Sequence, residues 1–234
     1  EARIRAAGRL DERAPAVLVQ REDVPDAQAR RARLEPRQAL RLGDHGAHQE
    51  LIGHMTQAGR LSADTLLHAH SSQVLGIAAR SRFGKADIHV ENGLAAALTG
   101  RPRFDDDELA ALARERGPAV AVAHGWLRHA ERLPLLMQGN FAFVVLEPLK
   151  KRACLALDRA GIERLCYAHR GGHLVFGSSA QQVAGHPAVG RSVDPQAIYD
   201  YLYFHTIPAP RSLYRGVQKL LPGQLALLRN GQLE

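Results

Sequence analysis

The stretch from Gly139 to Pro187 constrains the fold of this chain more than any other. It holds short apolar segments separated by polar turns that carry Pro148, Gly161 and the pair Gly171-Gly172. Short apolar runs bounded by such turn residues are typical of antiparallel strands. The pattern therefore predicts an antiparallel meander with strands at 141–146, 153–157, 165–169 and 174–176.

Elements on both sides of this meander follow from the same kind of reasoning. Further strands are predicted at 74–79, 88–90 and 94–98, and Gly100 and Pro102 should end the last of them. Acidic residues favour a helix start, and Asp-Pro supplies an N-cap and a first helical residue. Helices are therefore expected at 50–58, from 105, over 119–132 and from Asp194-Pro195.

Two features are predicted near the end of the chain. The helix that begins at Asp194-Pro195 should present Ile198, Tyr201 and Leu202 as its apolar face. Beyond it, an Asn230-Gly231 pair should turn a hairpin, because both residues of such a turn need a positive φ that Asn and Gly adopt readily.

The charge of the chain favours no particular partner. The net charge is +7, but the arginines are scattered among acidic residues and form no block. A generally arginine-rich composition explains this positive charge more simply than a surface that binds nucleic acid does. No apolar run approaches the roughly 18 residues that a membrane-spanning helix needs, and no signal segment opens the chain. We expect a soluble, cytoplasmic protein without nucleic-acid or membrane partners.

The composition changes near residue 83. Residues 1–82 contain no Phe, Trp, Tyr or Lys, and residues 1–43 show no sustained apolar period. Such a segment has little apolar surface to bury. We therefore divide the chain into a poorly ordered or atypical segment, 1–43, with few long-range contacts, and one domain over 44–234.

Three motifs, in order, carry a resemblance to a known family. They are the strand Gly139-Asn-Phe-Ala-Phe143, the turn Asp158-Arg159-Ala-Gly161, and Phe176-Gly-Ser-Ser179 before a short helix. The tail through Leu220-Leu-Pro-Gly223 continues the match. This order resembles the second half of the class II, N-terminal-nucleophile glutamine amidotransferase domain of asparagine synthetases. The resemblance covers about residues 75–234.

The resemblance implies an α+β fold, a four-layer αββα sandwich of two antiparallel sheets. In that family an ATP-using synthetase domain follows, and the chain ends at Glu234, about where it would begin. No S-G-G-x-D-S pyrophosphate loop occurs in this sequence. We therefore expect no cofactor in this chain. ATP and Mg²⁺ would belong to the missing C-terminal domain, which is the expected partner, with a homodimer as a further option.

The same resemblance implies where glutamine would react. The family uses an N-terminal cysteine as nucleophile, an Asn-Gly pair as oxyanion hole, an Asp before a helix for the substrate amine and an Arg for its carboxylate. This chain begins with Glu1, and Thr99-Gly100 stands at the Asn-Gly position. Pro118 lies where the Asp is expected. Arg80 or Arg82 would hold the carboxylate. No HRGPD-like segment is visible, and 59–64 departs from it. We predict a vestigial pocket of Thr99, Gly100 and Arg80 without catalytic residues.

Neither the cysteines nor the histidines offer a replacement for this chemistry. Cys154 and Cys166 fall inside predicted strands, where a buried thiol is a core residue rather than a nucleophile. His68 and His70 are two residues apart without an evident third ligand, so no metal site is predicted.

Three functions are consistent with the sequence. The favoured one is an asparagine-synthetase-like amidotransferase domain that has lost glutaminase activity and supports the synthetase domain. The second is the damaged or misframed N-terminus of a working glutamine-hydrolysing asparagine synthetase. A basic binding module ranks last, since aromatic residues do not alternate with the basic ones.

Overall fold

The computed structural model describes residues 16–21, 66–71, 75–81, 87–170, 173–186 and 188–234. In the first three of these ranges the backbone alone is described. The predicted helix at 50–58, the segment 59–64 and Arg82 lie outside the described residues.

The described strands form two antiparallel sheets of six strands each. The first sheet has the order β10-β8-β9-β1-β3-β2, and the second has the order β12-β11-β7-β6-β5-β4. The strands are β1 Ala16–Arg21, β2 Leu66–Ser71, β3 Leu75–Ser81, β4 Asp87–Glu91, β5 Leu94–Phe104, β6 Met137–Glu147, β7 Arg152–Leu157, β8 Cys166–Arg170, β9 His173–Gly177, β10 Gln218–Lys219, β11 Leu225–Arg229 and β12 Gln232–Leu233.

Four α-helices accompany the sheets in the described residues. They are α1 Asp107–Glu115, α2 Pro118–His129, α3 Ala180–Ala184 and α4 Pro195–Phe204. Asp106 caps α1 by accepting a hydrogen bond from the backbone N–H of Leu109, and Asp194 caps α4 in the same way through Gln196. After α2 the chain continues as a 3₁₀ helix, Ala130–Leu136, which contains Pro134.

Apolar side chains from both sheets meet in one core cluster. Leu155 and Val144 of the second sheet lie in it together with Leu174 and Phe176 of the first. On its other face the second sheet packs against α1 and α2, where Phe143 and Trp126 are buried together. A smaller cluster joins α3 to β8 and β9. The alternation of β6 explains this arrangement, because successive side chains of a strand point to opposite faces.

The structure confirms most of the predicted elements. The predicted strand at 74–79 appears as β3. The four strands of the predicted meander are all present, but they form two antiparallel pairs in different sheets, β6 with β7 and β8 with β9, because the chain crosses between the sheets after β7. The helices predicted at 119–132 and from Asp194-Pro195 appear as α2 and α4. The predicted hairpin is also present, since Asn230 and Gly231 both have positive φ and connect β11 with β12.

Two predictions about the strands were wrong. Gly100 and Pro102 do not end β5, which runs on to Phe104 because both residues stay in register with β6. In addition, residues 16–21 do make long-range contacts, since β1 pairs with β9 on one side and β3 on the other. Backbone pairing holds this strand, and pairing needs none of the aromatic residues on which the prediction relied. The rest of 1–43 lies outside the described residues.

The predicted apolar face of α4 is not buried. Ala197 is the buried residue of this helix, while Ile198, Tyr201 and Leu202 are exposed. The periodicity correctly predicted a helix, but a period does not say which side the domain covers.

Candidate functional site

The predicted oxyanion pair lies on β5, in the interior of the second sheet. Thr99 is buried and pairs with Ala142, and Gly100 pairs with Phe141. Ala142 belongs to the core cluster between the sheets, so the Thr99 side chain points toward the first sheet. The donors at this position are the hydroxyl of Thr99 and backbone N–H groups, since the longer amide of an asparagine is absent.

Gly100 is fixed by its surroundings. Its φ is +100°, a conformation that side-chain-bearing residues rarely adopt. A Cβ atom at this position would lie 2.3 Å from the backbone oxygen of Asn140 on the neighbouring strand. The glycine of the predicted pair is therefore required by the local backbone, whether or not the pocket binds a substrate.

The N-terminus of α2 contacts β4, the strand that pairs with β5. Gly117 is the N-cap and Pro118 is the first helical residue, so no side chain of the helix caps its free N–H groups. Asp87 of β4 takes that role, and its Oδ2 accepts a hydrogen bond of 3.0 Å from the backbone N–H of Ala119. A Cβ atom on Gly117 would lie 2.5 Å from the same oxygen.

Asp87 is the residue of this region that the sequence reasoning missed. It brings a carboxylate to the helix start where Pro118 stands in place of the expected Asp. Asp87 pairs with Leu98, whose side chain belongs to the cluster on the helix side of the sheet. The carboxylate thus lies on the opposite face from Thr99, and the structure does not bring the two side chains together on one face. The sequence did contain a signal for such a residue, because α2 begins with neither a capping side chain nor an acidic first turn.

Arg80 lies on β3 of the first sheet, where it pairs with Leu67. This strand approaches β5, which carries Thr99 and Gly100, across the space between the sheets. The structure therefore brings the strand of Arg80 near the strand of the predicted pair, while the orientation of the arginine side chain is not described.

The strand β1 lies beside β3, the strand that carries Arg80. Its first residue, Ala16, pairs with Ala79, the neighbour of Arg80. The strand itself reads Ala-Val-Leu-Val-Gln-Arg, and residues 1–55 contain no Cys, Ser or Thr. No side chain in this part of the sequence has the hydroxyl or thiol that N-terminal nucleophile chemistry uses.

The two cysteines are core residues, as predicted. Cys154 on β7 and Cys166 on β8 are both buried and free. Burial raises the pKa of the Cys154 thiol far above its ordinary value. Burial also raises the pKa of Cys166 to about 11, against the smaller opposing effect of Lys219 and Arg164. Both thiols stay protonated near neutral pH, and the thiol is a poor nucleophile compared with the thiolate.

Asp158, in the turn after β7, is fully buried and accepts hydrogen bonds from three backbone N–H groups. Its Oδ1 binds Ala160 at 3.0 Å and Ile162 at 3.1 Å, and its Oδ2 binds Glu163 at 3.0 Å. These bonds shape the turn and use both carboxylate oxygens. The residue therefore has a structural role.

Two further observations concern metals and membranes. Among the described residues, no group of three or more His, Cys, Asp or Glu side chains is placed to hold a metal ion. His68 and His70 both lie on β2, where alternation puts them on one face of the strand. Within the same part of the chain, no helix has both the length and the apolar character to cross a membrane.

The chain is similar to known proteins over part of its length. Residues 119–234 match the family model of the glutamine amidotransferase domain. Among solved structures, the chain is similar to a glutamine phosphoribosylpyrophosphate (PRPP) amidotransferase from B. subtilis complexed with ADP and GMP. The TM-score is 0.48 and the identity 11%, over 94% of this chain and 48% of that chain.

A second structure, described as the allosteric regulatory enzyme of purine biosynthesis, gives a TM-score of 0.47 at 11% identity, with the same coverage of 94% and 48%. The chain thus spans about half the length of both solved structures. No curated protein matches it. Over residues 119–234, just under half of the chain, the sequence is therefore similar to a glutamine amidotransferase domain.

Proposed function

We propose that this chain is the amidotransferase-like domain of an ATP-dependent amide ligase similar to asparagine synthetase, and that it does not hydrolyse glutamine itself. The helices and sheets then form the four-layer αββα sandwich of that family. The domain supports a synthetase domain of the same polypeptide, in the cytoplasm. That second domain binds ATP and Mg²⁺ and joins an amine or ammonia to an activated carboxylate.

The observation that supports the proposal most directly is the lack of a Cys, Ser or Thr side chain around the start of β1. In the family that the chain resembles, the nucleophile is the first residue of the mature chain and supplies its own α-amine as the base. Here a central strand of the first sheet begins at Ala16, and no Cys, Ser or Thr occurs before residue 56. Residues 1–55 therefore offer no nucleophile for the covalent route to ammonia.

Two more residues support a loss of function. Thr99 replaces the asparagine whose amide would donate to the oxyanion, and such a donor contributes about 3 kcal/mol to catalysis. Pro118 replaces the acid that would bind the substrate amine, and the nearby Asp87 is engaged in capping α2. Each change alone would weaken glutamine hydrolysis. Both are in line with a domain that has no nucleophile for this reaction.

A glutamine analogue that carries a thiol-reactive group tests the proposal. The purified chain is incubated with the analogue, and its intact mass is measured, with the Cys154→Ala and Cys166→Ala variants as controls. We expect no adduct on the folded chain, because both thiols are buried and protonated. A stoichiometric adduct that either replacement abolishes would contradict the proposal.

The kinship to asparagine synthetase has its own test. An S-G-G-x-D-S loop in the coding sequence beyond Glu234 would support the synthetase partner, and its absence would leave only the amidotransferase family. A Met-Cys-Gly start in another frame upstream would instead favour a working glutamine-hydrolysing enzyme.

A further inference from the structure

The part of the chain that follows β7 carries an excess of positive charge. Residues 164–233 contain seven Lys and Arg residues but two acidic residues, Asp194 and Asp200. Both carboxylates lie beside Arg211, whose Nε is 3.1 Å from Asp200 and whose Nη1 is 3.3 Å from Asp194. Among residues 164–233, no further carboxylate remains for the other arginines.

Arg170, the last residue of β8, lies flat against the backbone of Gly216. A Cβ atom on Gly216 would be 2.5 Å from the Nη2 of Arg170 and 2.7 Å from both its Cζ and its Nε. Because these three atoms are at nearly equal distances, the plane of the guanidinium group faces the glycine. The lack of a side chain at Gly216 thus gives the guanidinium group its place on the surface.

Two more arginines lie next to Gly216. Arg215 precedes it in the chain, and the backbone N–H of Arg215 donates a hydrogen bond of 2.8 Å to the carbonyl of Ser192. An antiparallel bridge at Val193 continues this pairing. Because the two segments run in opposite directions, Arg191, the residue before Ser192, comes alongside Gly216.

We call Arg170, Arg191 and Arg215 the arginine patch. All three are exposed, and among the described residues none has a carboxylate within ion-pair distance or a hydrogen bond to its guanidinium group. The Nη2 of Arg191 lies 3.6 Å from the Cβ position of Gly185, which follows α3, so the patch extends from Gly216 to the end of that helix. The three arginines are far apart in the sequence, so no run of like charge indicates the patch.

The chemistry of the patch favours a ligand with more than one negative charge. An arginine can bind a phosphate group through two parallel N–H donors, and a phosphate monoester carries about 1.5–2 negative charges at pH 7. A single carboxylate would need only one of the three arginines. A nucleic-acid strand fits less well, because three neighbouring arginines do not form the long basic stripe that follows a phosphate backbone.

We propose that the arginine patch binds the phosphate groups of a small ligand, which is either free pyrophosphate or the diphosphate of a nucleotide. One phosphate group lies against Arg170 and Arg215 beside Gly216, and the second reaches Arg191 toward the end of α3. The patch uses no residue of the predicted pocket. The proposal therefore does not depend on whether the domain hydrolyses glutamine.

Isothermal titration calorimetry with inorganic pyrophosphate at low ionic strength tests the proposal on the purified chain. We expect saturable binding of one pyrophosphate per chain. Arg170→Gln should raise its dissociation constant at least about tenfold, because a hydrogen bond to a charged group commonly contributes that much. Arg191→Gln should weaken the binding of pyrophosphate more than that of inorganic phosphate, since a single phosphate group does not reach from Gly216 to Arg191.

Arg114→Gln is the matched control. Arg114 is an exposed arginine in the last turn of α1, so the variant removes the same charge from a different surface and should bind pyrophosphate like the native chain. A titration with ADP distinguishes the two sources of the diphosphate. Equal dissociation constants for ADP and pyrophosphate would indicate that the phosphates alone are recognised, and tighter binding of ADP would indicate a nucleotide.

Three results would overturn the proposal. The first is a native chain that shows no saturable binding of pyrophosphate. The second is an equal loss for Arg114→Gln and Arg170→Gln, because the overall charge would then attract the anion. The third is binding of a single-stranded oligonucleotide with which pyrophosphate does not compete, which would assign the patch to nucleic acid. Circular dichroism checks the fold of each variant, and Arg191→Gln tests the patch if the loss of the Arg170 contact with Gly216 prevents folding.

Discussion

At the residue scale, the constraints on Gly100 arise from its backbone and its neighbour together. Its φ of +100° disfavours any side chain, and the backbone oxygen of Asn140 fills the space that a Cβ atom would occupy. Gly190 provides a comparison, since its φ is +82° but nothing lies within 4 Å of its Cβ position. A comparison of the two glycines therefore distinguishes the cost of backbone strain from the cost of a collision with the neighbouring strand.

We expect Gly100→Ala to lower the free energy of unfolding by more than about 3 kcal/mol, because strain and collision both act. Gly190→Ala should cost only about 1 kcal/mol, since strain acts alone. Denaturation by urea, monitored by circular dichroism, measures both. Equal losses for the two variants would show that β5 and β6 can separate at Gly100.

Asp158 offers a second test at this scale. Its carboxylate accepts hydrogen bonds from three backbone N–H groups in a turn without solvent access. Replacement by Asn turns one acceptor into a donor that faces N–H groups. We predict that Asp158→Asn lowers the free energy of unfolding by about 2–3 kcal/mol. A cost near zero would mean that water or a rearranged turn satisfies these groups.

At the element scale, the end of β6 is tied to α2 by Glu147. This buried carboxylate accepts a hydrogen bond of 2.9 Å from the indole Nε1 of Trp126 and one of 2.6 Å from Lys150. Arg152 of β7 lies 3.6 Å away and also approaches the Trp126 ring. Burial alone would raise the pKa of Glu147, but the hydrogen bonds from Lys150 and Trp126 and the charges of Lys150 and Arg152 outweigh it and lower the pKa.

Because the pKa of Glu147 is lowered in the folded state, the direction in which pH changes the free energy of unfolding is determined. The stabilisation from ionised Glu147 is complete above its ordinary pKa of 4.5 and is lost as the pH falls through the lower folded value. We expect Glu147→Gln to cost about 1–3 kcal/mol near neutral pH, and this cost should shrink as the pH falls below about 4.5. Chemical denaturation at several pH values measures it. A cost that grows toward acid would contradict the assigned direction.

Sequence reasoning located most elements because their signals are local. A short apolar run bounded by turn residues predicted β6, and Asp194-Pro195 predicted the start of α4. It missed β1 as an interior strand and the exposure of α4, because both depend on what packs against the element. Local patterns report what a segment can form, while pairing partners and coverage are set by residues far away along the chain.

The predicted pocket shows the same limit. Thr99 and Gly100 could be placed on one strand by matching motifs, and the strand that carries Arg80 does approach them. Asp87 could not be found in this way, because its role follows from a strand end meeting the start of a helix thirty-two residues later. Such a contact has no signature in the order of the residues.

At the scale of the whole molecule, residues 119–234 match the model of the glutamine amidotransferase domain, while the first fifty-five residues of the sequence contain no Cys, Ser or Thr. The fold can persist without the chemistry, because the core between the sheets consists of apolar side chains that need no catalytic residue. The structure of the domain therefore does not depend on glutaminase activity.

Ammonia release from glutamine by the purified, folded chain tests this central claim most directly. The rate should equal that of buffer alone and that of a Cys154→Ala, Cys166→Ala double variant, at every glutamine concentration tried. A release that saturates with glutamine, scales with the amount of chain and copurifies with it would contradict the account and assign a working glutaminase to this domain.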